Sequence, residues 1–170
     1  MDAIAFANSL RAFMPRAKDL AEYGLDADEI EEIQSAFDAK PRNSGGPVST
    51  EVERLVTAFD CSAVAIGIVR FDSGVVPTQG GVRFGFCEAD PLVVDHERKI
   101  WMLHHDSPEV APMACAESSE QFLDALLFAA EAIVNRVKWK GRGLEIVHQC
   151  SERAGSATCR DFFRSVVGGL

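Results

Sequence analysis

VRFGFCEADPLVVDHERKIWMLH, residues Val82 to His104, is the stretch whose pattern decides the fold. Val82, Phe84 and Phe86 alternate with Arg83 and Gly85, the period of two that a half-buried strand requires. Pro91 to Val94 and Lys99 to His104 are two more apolar runs, and the polar group Asp95-His96-Glu97-Arg98 between them predicts a hairpin turn. Upstream, Ala63 to Phe71 reads as a strand with Val64, Ile66 and Ile68 on one face and Ala65, Gly67 and Val69 on the other. The small face predicts close packing against a helix. A turn at Thr78-Gln79-Gly80-Gly81 leads into Val82, and Val110 to Ala116 is a further strand that nearby prolines confine to an edge or a bulge.

Helical periods flank this block. Ser118 followed by Gln121 predicts a capped helix to about Asn135, with Phe122, Leu126, Ala129 and Ile133 on one face and Leu123, Leu127, Ala130 and Val134 widening it. That helix is the one expected to lie across the sheet. In the first 40 residues, Ile4, Ala7, Leu10 and Met14 form one stripe and Ile30, Ile33 and Phe37 another, with Asp26 or Asp28 as cap of the second. Lys40-Pro41-Arg42-Asn43-Ser44-Gly45-Gly46-Pro47 reads as a loop, and Thr50 with Glu53 forms a capping box that starts a helix to about Phe59. Leu144 to Cys150 reads as a last strand and Thr158 to Val167 as a last helix. The expected fold class is therefore α+β, a twisted, mainly antiparallel sheet flanked by helices. The 170 residues suit one domain: 1–60 a helical part, 61–135 the sheet plus the long helix, 136–170 a C-terminal extension.

Composition agrees with a folded globular chain, since 47% of residues are apolar and 25% charged. The net charge of −9 disfavours nucleic acid and anionic membrane as partners and favours basic ones. Seven Lys and Arg against three acids in residues 136–170 leave that tail at +4 and the first 135 residues at −13. Five cysteines (Cys61, Cys87, Cys115, Cys150, Cys159) without a C-x-x-C pair predict buried free thiols in a reducing compartment. MDAIAFANSLRAFM lacks the basic start of a signal peptide, and the longest helical apolar run, Ala125 to Ala130, is far short of the roughly 20 residues of a membrane span. The expected location is the cytoplasm.

Few residues offer chemistry. His104-His105-Asp106 with His96 resembles a metal-ligand set, but a hairpin at Asp95 to Arg98 would put His104 and His96 about 16 Å apart, and neighbouring His104 and His105 would face opposite ways on a strand. His148 and Cys150, two apart on the expected last strand, would share a face as base and nucleophile. His96-Glu97 lacks the P-C-x-x-C that a zinc deaminase needs, and P-loop, G-x-S-x-G and G-x-G-x-x-G patterns are missing. Trp101 is read as core. Glu29, Glu31 and Glu32 read as a solvated helix face, whereas the acids Glu88, Asp90, Asp95, Glu97 and Asp106 lie at strand ends and turns, where binding residues concentrate.

The stretch FGFCEADPLVVDHERKIWMLHHDSPEVAPMACAESSEQFLDALL, Phe84 to Leu127, resembles the SUKH superfamily of fungal cell-wall regulators and bacterial immunity proteins. The likeness is carried by Phe84-Gly85, Asp90 before Leu92 to Val94, the Asp95 turn, Ile100, Trp101 and Leu103, His105-Asp106, and Ser118 with Phe122-Leu123. It covers about a quarter of the chain; the amino-terminal half matches poorly, and about 35 residues after the long helix exceed the family pattern. The resemblance implies a SUKH-like fold without catalytic residues or cofactor that binds and blocks a cognate, nuclease-type toxin. The expected partner surface is Glu88, Asp90, Asp95, Glu97 and Asp106. An acidic chaperone for a secreted effector and a small metal-dependent hydrolase are the alternatives.

Overall fold

The computed structural model describes residues 1–42, 47–107 and 109–168. Local capping signals set most helix starts. Asp2 accepts from the Ala5 amide to open α1 (Ala3–Arg11), and α2 (Ala17–Glu22) follows without a side-chain cap. Asp26 and Glu29 cap α3 (Ala27–Ser35) reciprocally, and Thr50 with Glu53 does the same for α4 (Glu51–Ala58). Between these last two, β1 (Lys40–Pro41) pairs antiparallel with β2 (Phe59–Asp60), so the expected loop contributes two residues to a small ladder. Asn43-Ser44-Gly45-Gly46 of that loop lie outside the described residues.

β3 (Ala65–Ile66), β4 (Val69–Thr78), β5 (Gly81–Cys87), β6 (Asp90–Val94), β7 (Ile100–Met102) and β8 (Met113–Ala116) form one sheet in chain order, each antiparallel to the next. The fold class is α+β, as expected. β8 is an edge strand, with a register shift opposite Ile100 and Trp101. Then come α5 (Ser119–Val134), capped by Ser118, α6 (Gly143–Arg153), a 3-10 turn (Ala157–Cys159) and α7 (Arg160–Val167).

The core lies between the helices and one face of the sheet. Phe84, Leu92 and Ile100 point inward and are fully buried, as are Phe122, Leu123 and Leu126 of α5 and Phe162 and Phe163 of α7. Phe84 meets Phe122 edge to face at 5.6 Å between ring centres, and Phe122 meets Phe162 at 6.0 Å. Each such side chain contributes about 1.5–3 kcal/mol by leaving water, so this aromatic column ties the sheet to α5 and α7.

Four expectations need correction. The first stripe is rotated: Ala3, Phe6, Ala7 and Leu10 are buried, Ile4 is 58% exposed and Met14 lies beyond the helix. Phe6 turns α1 inward by packing edge-on to Phe71 at 6.3 Å. Ala63 to Phe71 is not one strand but a hairpin, because Ile66 pairs with Val69 across a two-residue loop of Gly67 and Ile68. Gly67 has φ +57°, and a Cβ there would come within 2.3 Å of the Val166 carbonyl oxygen, so the small residue does mark close helix packing, by α7. Lys99 to His104 is ordered as a strand only over Ile100–Met102. Leu144 to Cys150 is helical, within α6: Ile146, Val147, Cys150 and Ser151 are buried at helical spacing while Leu144 is 79% exposed.

Candidate functional site: the outer face of the sheet

Antiparallel pairing puts directly opposed residues on the same side of a sheet. Arg83, Val93, Trp101 and Ala114 are opposed in turn across β5, β6, β7 and β8, and Arg70, Phe86 and Pro91 across β4, β5 and β6. Since Leu92, Val94, Ile100 and Met102 point into the core, these two rows form the outer face, and Arg83, Phe86, Trp101 and Leu103 are only half-buried there. Arg83 binds Asp72 at 2.9 Å and stacks its guanidinium 4.5 Å from the Phe86 ring centre, which fixes both side chains. A groove of about 280 Å³ opens beside them, lined by Gly80, Val93, Asp95, Trp101, Leu103 and Pro112. Gly85 keeps the sheet tight under this face, since a Cβ there would stand 2.3 Å from the Arg70 carbonyl oxygen.

Trp101 is therefore not core, as its strand position suggested. Its ring faces outward because Ile100 and Met102 take the inward positions of β7, and its indole N–H donates to Asp95 Oδ2 at 2.8 Å. The other oxygen of Asp95 accepts from the amides of Glu97 at 2.8 Å and Lys99 at 2.9 Å. All three donors lie in or just after one turn, so Asp95 builds the hairpin and braces the tryptophan. Glu97 is exposed, with Lys99 Nζ at 3.7 Å, and Lys99 also reaches Glu117 at 3.6 Å.

The five expected partner-binding acids do not form one cluster. Asp95 and Glu97 sit at one end of β6; Glu88, Asp90 and Asp106 belong to the other, about five residues or 16 Å away along the strand. At that second end the chain turns after Leu103, which brings His104 and His105 to the same carboxylate instead of opposite faces. Asp90 Oδ1 accepts from the His105 amide at 3.0 Å and lies 2.7 Å from His105 Nδ1, while His104 Nδ1 is 3.9 Å from Oδ2. The hydrogen bond between them holds the Asp90 carboxyl below its ordinary range and pushes the His105 imidazole up. Asp106 is exposed beside them, and Glu88 is exposed at φ +54° in the β5–β6 turn.

No group of three or more His, Cys, Asp or Glu side chains is arranged to hold a metal ion among the described residues. The His148 and Cys150 pairing does not exist. On α6 two residues subtend about 200°, so Cys150 is fully buried while His148 faces outward, 3.4 Å from Glu152. All five cysteines are free and buried; burial pushes the thiols of Cys61 and Cys150 up to about 12 and that of Cys87 up to about 11. Thiols so placed are inert.

Sequence reasoning passed over Arg83, Phe86, Leu103 and Pro112. For Arg83 the missed signal was the other half of the alternation: once Phe84, Leu92 and Ile100 are assigned inward, Arg83, Val93 and Trp101 must share the opposite face, whereas Phe86 joins them against the alternation, because a bulge between Arg83 and Gly85 shifts β5 against β6. No described helix is long and apolar enough to cross a membrane. Comparison with family models, with curated proteins and with solved structures finds no match to the chain.

Proposed function

We propose that the chain is an interaction protein of the immunity type, which blocks a cognate toxin by covering it with the outer face of its sheet. The groove beside Trp101 carries the reading: an apolar recess of about 280 Å³ with Trp101 and Leu103 in its walls and Phe86 and Arg83 on the same face. Aromatic residues and arginine at the centre of a patch with charge at its rim make the composition of a binding hot spot. Acids at both ends of β6 and a net charge of −9 suit a basic partner such as a nuclease domain, because complementary charge raises the association rate. The likeness of Phe84 to Leu127 to the SUKH superfamily supports the same reading. So does the poor supply of reactive groups, with the thiols buried and two imidazoles occupied on one carboxylate.

Co-expression tests it. The protein encoded beside this chain's gene is produced in a bacterial host alone and with the chain, with growth and complex formation on gel filtration as readouts. Growth arrest relieved by the chain, and not by its Trp101→Ala variant, is the expected result. A neighbour that neither arrests growth nor binds overturns the proposal, and a neighbour that is a secreted substrate favours the acidic chaperone. Stoichiometric zinc or iron in the purified protein overturns it in favour of a metal-dependent hydrolase.

A further inference from the structure

The segment joining α5 to α6 differs from the rest of this acidic chain. Arg136, Lys138, Lys140 and Arg142 fall within seven residues, with no acid between Glu131 and Glu145. Arg142 is bound to Glu145 at 2.8 Å, but Arg136, Lys138 and Lys140 have no ion-pair partner among the described residues. Val137, 87% exposed, lies between Arg136 and Lys138, and Leu144, 79% exposed, follows Arg142 at the start of α6; they are the two most exposed large aliphatic side chains described, and Val134, at 41%, adjoins them.

The segment is also held in place. Trp139 is buried, packs edge-on to Phe128 at 5.8 Å, and takes the Arg142 guanidinium at 4.6 Å and the Lys138 ammonium at 5.3 Å from its ring centre. With Trp139 as an inward anchor, the aliphatic tips are presented outward. Cations just past the end of α5 complement its dipole, which accounts for part of the charge. It does not account for Val137 and Leu144, whose exposure gains nothing in water.

We infer that this segment is a contact site for an anionic phospholipid surface. Phosphate headgroups take Arg136, Lys138 and Lys140, none of which has an ion-pair partner among the described residues, and the acyl boundary below them takes Val137 and Leu144. A nucleic acid would use the cations and leave the aliphatic tips in water. A protein partner would need a recess for projecting tips, or recesses of its own, whereas a fluid surface adapts to them. The overall charge of −9 does not forbid the contact, because fields from exposed charges fade within about 8 Å at physiological salt, and the local charge decides. Three cations and two aliphatic tips give weak, reversible attachment.

The experiment is co-sedimentation of the full chain with vesicles of equal phosphatidylcholine and phosphatidylglycerol, against pure phosphatidylcholine, at low and physiological salt. Two double variants accompany it, Arg136→Glu with Lys140→Glu and Val137→Ser with Leu144→Ser; all four positions are exposed, and a thermal melt checks the fold. Binding to the anionic vesicles only, weakened about tenfold by the charge pair and severalfold by the aliphatic pair, is expected. Absence of binding to anionic vesicles at low salt overturns the proposal. Binding that the serine pair leaves untouched and a short DNA duplex competes away also overturns it, since the site would then be a phosphate site without a lipid component.

Discussion

Asp95 receives the indole N–H of Trp101 at 2.8 Å, six residues on and across the β6–β7 turn, while its second oxygen closes that turn on the amides of Glu97 and Lys99. One carboxylate thus sets the register of a hairpin and orients the largest side chain of the outer face. In sequence Asp95 and Glu97 look alike, two acids in one polar turn, yet only Asp95 is structural.

Asp95→Ala removes the acceptor for three donors. Loss of about 1–3 kcal/mol is expected, at the level of a group left without its partner, seen as a lower urea midpoint together with a changed near-ultraviolet signal from Trp101. Unchanged stability would mean that water replaces the carboxylate at no cost.

Glu97→Lys should behave differently. Glu97 is exposed and its contact with Lys99 at 3.7 Å is a surface pair, so the melting temperature stays nearly constant. If the outer face docks a basic partner, association slows by roughly tenfold at low salt and much less at high salt. Stopped-flow or surface binding kinetics at two salt concentrations measure this; equal rates at low salt would place the contact away from the turn.

The sheet and α5 were legible because their signals are local: the apolar run from Val82, the polar break at Asp95 to Arg98, and Ser118 as a cap, although the expected alternation fails at Phe86, which a bulge between Arg83 and Gly85 turns to the outer face. α6 was misread because Leu144, Ile146, His148 and Cys150 alternate as a strand would, and only the burial of Val147 and Ser151 beside Ile146 and Cys150 shows the helical face. The hairpin at Gly67 was hidden because the apolar run from Ala63 to Val69 carries no polar turn residues, and its turn depends on a glycine whose need comes from α7, a hundred residues later. The candidate site was half legible. Its acids could be named, but their division between two ends of β6 follows from strand length, and the groove follows from pairing across four strands.

Phe122→Ala tests the tie between sheet and helices. Phe122 is fully buried between Phe84 and Phe162, and truncating it leaves a cavity that costs about 3–5 kcal/mol. A fall in melting temperature of about 6–20 degrees is expected for a loss of that size, and a shift of a degree or two would mean that the two neighbouring rings close the gap.

Thiol chemistry gives a second reading of the same core. With burial pushing Cys61 and Cys150 up to about 12 and Cys87 up to about 11, almost no thiolate is present at pH 8. Ellman's reagent should label none of the five cysteines rapidly in the native protein and all five in denaturant, and fast native labelling would show that the core opens.

The carboxylate shared by His104 and His105 makes stability depend on pH. His105 is pushed above its ordinary value of about 6.5, first by its hydrogen bond to Asp90, so folding favours its protonated form. That contribution is fully present below about 6.5 and is lost as pH rises through the raised folded value. Asp90 is held below its ordinary value of 3.8 by the same bond, so its contribution is present above that value and is lost as pH falls through the lowered one. Both are fully present in the mildly acidic window between the two ordinary values. Asp90→Asn removes the charge at nearly constant shape, and the melting-temperature gap between wild type and variant should therefore be larger at pH 5 than at pH 8. Nuclear magnetic resonance titration of the imidazole provides the site-specific check: His105 should titrate lower in the variant than in the wild type, and identical midpoints would show that the contact at 2.7 Å does not persist in solution.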